Sequence, residues 1–153
     1  CTMFIIISSV SVPTFSAAVI RAKTQIIISA AFPNVALSKP PTDSDVLRAI
    51  SSGSNYPCGL AWIVPKGSFN RSPYLRLLVV HPKFTSKGVG TLLMLQVESQ
   101  VKIDCSDLFL LVSDFNIAAQ RFYQQMGYLK VGEIADYVVP GVSELIFRKS
   151  FKS

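Results

Sequence analysis

The chain has 153 residues, of which 50% are apolar and 16% charged, a balance that suits one globular domain with a real core and excludes a disordered chain. Its net charge of +6 favours an anionic partner. The 15 Lys and Arg residues are scattered, and no aromatics interleave with them as a stacking platform requires, so no nucleic-acid partner is expected. Three cysteines, Cys1, Cys58 and Cys105, are too few and too widely spaced for a disulfide framework or a zinc site. One histidine, His81, cannot anchor a metal cluster alone, so no metal is expected. The apolar start of the chain lacks the basic region that precedes a signal sequence, and Arg21 and Lys23 interrupt the apolar residues after it. Residues 1–20 are too rich in Ser, Thr and Pro for a membrane span, and the expectation is a cytoplasmic protein with no membrane partner.

In chain order, residues 2–10 are β-branched and read as a strand. After Pro13, Phe15, Val19, Ala22 and Ile26 recur at helical spacing over 14–32, although three successive isoleucines weaken that pattern. Residues 33–45 carry three prolines and read as a loop. Two apolar runs then flank a polar turn over 51–55, which predicts a hairpin. Residues 66–73 read as another loop, and the run from Tyr74 to Pro82 as a third consecutive strand. A helix opens at the glycines Gly88 and Gly90, and a buried strand begins at Asp107. From Asn116 a second helix places Ala119, Phe122, Tyr123 and Met126 on one face, with Gly127 at its C-cap. Two last strands, over 129–139 and 143–151, meet around Pro140 and Gly141. Strands that meander and then alternate with helices predict an α/β (α+β) fold with a mixed, mostly antiparallel central sheet of about seven strands and helices on both faces.

The segment HPKFTSKGVGTLL, from His81, puts a strand end, a lysine-bearing loop and a helix start together, a common anion-binding arrangement. A P-loop is excluded because no Lys follows Gly90, and a dinucleotide fingerprint is excluded because its third glycine is missing. The remaining G-x-G also fits a tight turn.

Over residues 45–149 the order and spacing resemble the GNAT N-acetyltransferase superfamily. Its Q/R-x-x-G-x-G/A loop aligns with Thr85-Ser86-Lys87-Gly88-Val89-Gly90, and its V-x-P strand end with Val80-His81-Pro82. Asn116, Tyr123, Gly127 and Tyr128 match a later family segment; residues 1–43 fit only in outline. The resemblance implies one acyl-CoA N-acyltransferase domain over 1–153, with acetyl-CoA as co-substrate. The main-chain amides of Ser86, Lys87, Gly88, Val89, Gly90 and Thr91 are expected to cradle its pyrophosphate, with Lys87 and Lys83 adding charge. Leu78, Val79 and Val80 are expected to pair with the pantetheine arm, a main-chain N–H at Val79 or Val80 to polarise the acetyl carbonyl, and Asn116 to hydrogen-bond the arm. Tyr123 is the expected general acid and also lines the cofactor.

Two departures stand out. Thr85 replaces the usual Gln or Arg, which is expected to weaken cofactor binding. No carboxylate occupies the usual base positions, where Arg76, Leu111 and Ser113 stand. Glu144, Asp136, Glu133, His81 or a water relay could serve, and the base stays unassigned. Lys149 and Lys152 read as a solvated tail. The expected activity is acetyl transfer to a primary amine, with a small molecule favoured, by direct attack through a tetrahedral intermediate, in a monomer or homodimer. The alternatives are a non-catalytic acyl-CoA-binding module of the same fold and a basic nucleic-acid-binding domain, which would show steep salt dependence.

Overall fold

The structure is a computed structural model that describes residues 46–50 and 57–152. The strand expected over 2–10, the helix over 14–32, the loop over 33–45 and the turn over 51–55 lie outside these residues.

Six strands form one sheet: β1 (Val46–Ile50), β2 (Pro57–Ser68), β3 (Ser72–Val80), β4 (Asp107–Ser113), β5 (Leu129–Ala135) and β6 (Ser143–Ser150). Their spatial order is β1-β2-β3-β4-β6-β5, and only the β3–β4 pair is parallel. With the expected first strand outside the described residues, the sheet has six strands here rather than about seven. Two helices follow the strands they serve: α1 (Val89–Asp104) crosses from β3 to β4, and α2 (Ile117–Gln125) from β4 to β5.

The loop expected over 66–73 is much shorter. β2 runs on to Ser68 and β3 starts at Ser72, with the chain reversing at Phe69 and Asn70. Both residues take positive φ, 55° and 51°, and Arg71 N donates to Ser68 O at 3.0 Å. Two left-handed central residues match the right-handed twist of the flanking strands, so a tight reversal replaces the loop. The Phe69 ring then meets Phe109 edge-on, with centroids 5.6 Å apart. The strand expected over 129–139 also ends earlier, at Ala135. Asp136 takes a φ of 54°, its carboxylate accepts from Gly141 N at 2.6 Å, and residues 136–142 form a closed loop instead.

Helix α1 turns Leu93, Met94, Val97 and Val101 toward the sheet, where Leu75, Leu78, Leu108, Leu110 and Val112 complete the core. Helix α2 ends as its glycine predicts. Gly127 has φ 85°, Tyr128 N donates to Tyr123 O and Gly127 N to Gln124 O, both at 2.9 Å, which is the double bond of a Schellman motif.

Lys149 is not part of a solvated tail. Its ammonium donates to Glu98 Oε2 at 2.7 Å and to the Met126 carbonyl at 2.6 Å, so one cation joins β6, α1 and the end of α2. Glu98 is buried on the apolar face of α1, where an unpaired charge would be costly. Lys152 is exposed, as expected.

Candidate functional site

The expected anion loop begins at His81, whose Nδ1 accepts from Lys83 N at 3.3 Å and caps a short 3-10 turn over Pro82–Phe84. Thr85 is occupied locally, since its Oγ1 donates to the Pro82 carbonyl at 2.8 Å. Ser86 and Gly88 then adopt left-handed φ values of 59° and 70°, which turn the chain into α1. No side chain caps that helix and no acidic residue stands in its first turn. The amides of Val89, Gly90 and Thr91 are therefore orphan donors at the positive end of a 16-residue helix. Among the described residues, its own chain neighbours aside, nothing lies within 4 Å of the place where a Cβ on Gly88 would stand, so they leave the approach open. Lys83 and Lys87 flank it, both exposed, with the Lys87 ammonium 5.5 Å from the centre of the Phe84 ring.

The strand leading into this loop parts from its neighbour. The β3–β4 ladder registers only Tyr74 with Phe109 and Leu75 with Leu110. On its other side β3 stays paired, with Leu78, Val79 and Val80 opposite Ala61, Leu60 and Gly59, past an irregularity at Arg76. Alternate main-chain groups of residues 76–80 therefore face a gap between two parallel strands, ready to pair with an extended ligand.

Four side chains from four elements gather where the strands diverge. Ser113 ends β4, and its Oγ donates to Glu144 Oε1 on β6 at 2.8 Å, with both residues buried. Tyr74 on β3 is close enough to feel that carboxylate. Burial pushes its phenol up to about 12, Arg76 opposes the rise, and the charges of Glu144 and Tyr137 add to it. Tyr123 on α2 is wholly buried, its ring edge-on to Phe122 and Tyr128 at 5.1 and 5.6 Å. Burial first, then the nearby Tyr74, raises its phenol well above the ordinary range, which keeps its proton in place. Asn116 caps α2 by accepting from Ala119 N at 3.1 Å, and Gln120 Nε2 donates to the Asp114 carbonyl at 2.7 Å, fixing the helix start against β4.

Of the four side chains that could act as a base, three are engaged at the surface or in turns. Asp136 closes its loop through Gly141, Glu133 pairs with Lys130 at 2.8 Å, and His81 caps the 3-10 turn. Glu144 alone of the four is buried, and it sits at the divergence. Tyr74 and Glu98 were not anticipated. Tyr74 looks like an ordinary strand residue in sequence, because the carboxylate charge that it feels stands on β6, seventy residues on. Glu98 did carry a signal: it lies four residues after Met94 and three before Val101, on the apolar face of its helix.

Among the described residues, no group of three or more His, Cys, Asp and Glu could hold a metal ion, and no helix is long and apolar enough to cross a membrane. Among the described residues Cys105 is a free thiol, and burial raises the buried Cys58 thiol above its ordinary value.

Residues 36–128 match the acetyltransferase (GNAT) family. A search of curated proteins finds no match. Among solved structures, an aminoglycoside 6'-N-acetyltransferase complexed with coenzyme A superposes with a TM-score of 0.74 at 13% identity, covering 92% of this chain and 97% of that one. A GNAT-family acetyltransferase from Bacillus cereus gives 0.71 at 16% identity over 92% and 96%. A chain of the NatC complex bound to Gag peptide and CoA gives 0.67 at 18% identity over 86% and 90%.

Proposed function

This chain belongs to the GNAT acetyltransferase family, and on that premise we propose that it transfers an acetyl group from acetyl-CoA to a primary amine, most simply that of a small molecule. The observation that carries the proposal is a parted parallel strand pair whose first strand runs into an uncapped helix N-terminus. The residues fit the cofactor. Its pyrophosphate needs main-chain donors with room for close approach, which the open Gly88 turn offers, and its extended arm needs an unpaired strand edge.

When bound, acetyl-CoA supplies an acyl thioester, whose carbonyl carbon an amine can attack and whose sulfur can leave. The main chain of Ser86, Lys87, Gly88, Val89, Gly90 and Thr91 holds the pyrophosphate, with Lys83 and Lys87 adding charge. Leu78, Val79 and Val80 pair with the arm, and Asn116 hydrogen-bonds it. A main-chain N–H of Val79 or Val80 donates to the carbonyl oxygen as negative charge develops there. The amine nitrogen forms the C–N bond, the C–S bond breaks with its electron pair on sulfur, and Tyr123 donates its proton to the sulfur. The proton that the nitrogen sheds on becoming an amide restores Tyr123, so the step balances.

One observation favours a second reading, a module of the same fold that binds acyl-CoA without turning it over. The Thr85 side chain is tied to the Pro82 carbonyl rather than open to a ligand. The first test is calorimetric titration of the protein with acetyl-CoA, repeated on Gly88→Val. Saturable binding that the variant weakens at least tenfold is the expected result. No binding to the unchanged protein would overturn the proposal, and binding without thiol release in the presence of any amine would leave the non-catalytic module.

A further inference from the structure

We propose that Glu144 receives the ammonium group of the acceptor and takes one proton from it, leaving the neutral amine that attacks, and that this acceptor is a monoamine on an apolar carrier rather than a polycation. The inference rests on the acetyl-transfer reading above.

Glu144 is 3% exposed, and its hydrogen-bond partner is a neutral hydroxyl, Ser113 Oγ at 2.8 Å. The ion-paired carboxylates of the described residues have cations at hand: Lys149 for Glu98, Arg148 for Asp107, Lys130 for Glu133. Glu144 has no such ion pair among the described residues. A buried carboxylate whose hydrogen-bond partner among the described residues is a neutral hydroxyl gains a counter-charge when an ammonium arrives.

Its place suits that role. Glu144 stands directly across from Ser113, the last residue of β4, beyond the point where β3 and β4 have parted. Ser113 on β4 meets it directly, and Tyr74 on β3 lies near enough to feel its charge. Glu144 is thus positioned beside the gap in which the thioester arm is proposed to lie.

Two apolar segments border the same end of the sheet. Phe115 and Ile117 follow β4, and Tyr137, Val138 and Val139 precede β6, all between 43% and 62% exposed. Asp114 ties the two segments together, since its N–H donates to the Ser143 carbonyl at 2.9 Å and its Oδ2 accepts from Ser143 N at 3.1 Å. An anionic point behind an apolar rim is complementary to one ammonium carried on an apolar body. Further positive charges on the acceptor would meet a chain of net charge +6, with Glu144 already taken by the first ammonium. That argues against an aminoglycoside, although an aminoglycoside acetyltransferase shares the fold.

The test compares 2-phenylethylamine with kanamycin, following thiol release and, separately, amine binding to CoA-saturated protein by calorimetry. 2-Phenylethylamine is expected to exceed kanamycin at least tenfold in kcat/KM. Glu144→Gln should raise its KM at least tenfold while the acetyl-CoA dissociation constant stays within twofold. If that variant does not fold, Val138→Lys, at an exposed position, should raise the same KM at least fivefold by placing a cation at the rim. Unchanged amine KM in the variant that folds, a preference for kanamycin, or bound acetyl-CoA with neither amine taken up would each overturn the inference and leave acetyl-CoA binding intact. Failure of acetyl-CoA itself to bind overturns the broader reading together with this one.

Discussion

Tyr123 and Gly67 show how differently two residues can matter. Tyr123 carries a proposed proton transfer, and Tyr123→Phe removes the oxygen that makes it while keeping the buried ring. Turnover should fall by about 100-fold or more, the low end for general acid catalysis, with acetyl-CoA affinity nearly unchanged, as measured by steady-state kinetics beside calorimetry. Equal turnover would remove Tyr123 from the mechanism. Gly67 does nothing chemical, yet a Cβ there would lie 2.7 Å from the Cβ of Tyr74 and 2.9 Å from that of Val64. Two strand side chains cannot both yield, so Gly67→Ala should cost about 1–3 kcal/mol in urea unfolding and shift Tyr74 in its packing. The sequence shows this glycine only as part of a loop, because the strand that crowds it is brought back by the tight turn at Phe69 and Asn70.

At the scale of elements, the junction of α1, α2 and β6 depends on one buried ion pair. Removing the cation with Lys149→Met leaves Glu98 buried and uncompensated, which should cost about 3–5 kcal/mol. The double variant Lys149→Met, Glu98→Leu removes the stranded charge as well and should recover most of that loss. Urea midpoints for the single and double variants check both, and a single variant as stable as the parent would show the pair to be dispensable. Both ends of α2 were readable in sequence, from Asn116 at its start and Gly127 at its close. Asn116 as cap and Gly127 as terminator act on their own backbone neighbours, and the structure places both as the local chemistry requires. The pairing of Lys149 with Glu98, 51 residues apart, was not readable.

For the molecule as a whole, pH should act on stability from the alkaline side through its buried tyrosines. Burial raises Tyr74 to about 12 and pushes Tyr123 and Tyr128 higher, against an ordinary value near 10. A raised folded-state pKa means the folded form holds its proton longer than the unfolded one, so this contribution is whole below about 10 and declines as pH rises. For Tyr74 the decline runs between about 10 and 12. Thermal midpoints should therefore fall steeply above pH 10. On the acid side, burial works against the charged form of Asp107, but hydrogen bonds from Ser106 and Arg148 and the charge of Arg148 hold it below its ordinary value. Its contribution is present above the ordinary carboxylate range and is lost as pH falls through the lowered value. Asp107→Asn should flatten that acid limb, which thermal scans from pH 5 downward can follow.

The sequence by itself determined the succession of elements from residue 46 onward, the uncapped glycine turn into α1 and the spacing of Asn116, Tyr123 and Gly127. These are local matters of periodicity, backbone freedom and capping, and each is written within a few residues. Only the tertiary structure decided where β3 and β4 part, that Lys149 turns inward to Glu98, and that Glu144 lies buried beside Ser113 at the mouth of the gap. Those outcomes depend on which strands become neighbours, and the order β4-β6-β5 brings together residues about thirty positions apart that no short stretch of sequence relates.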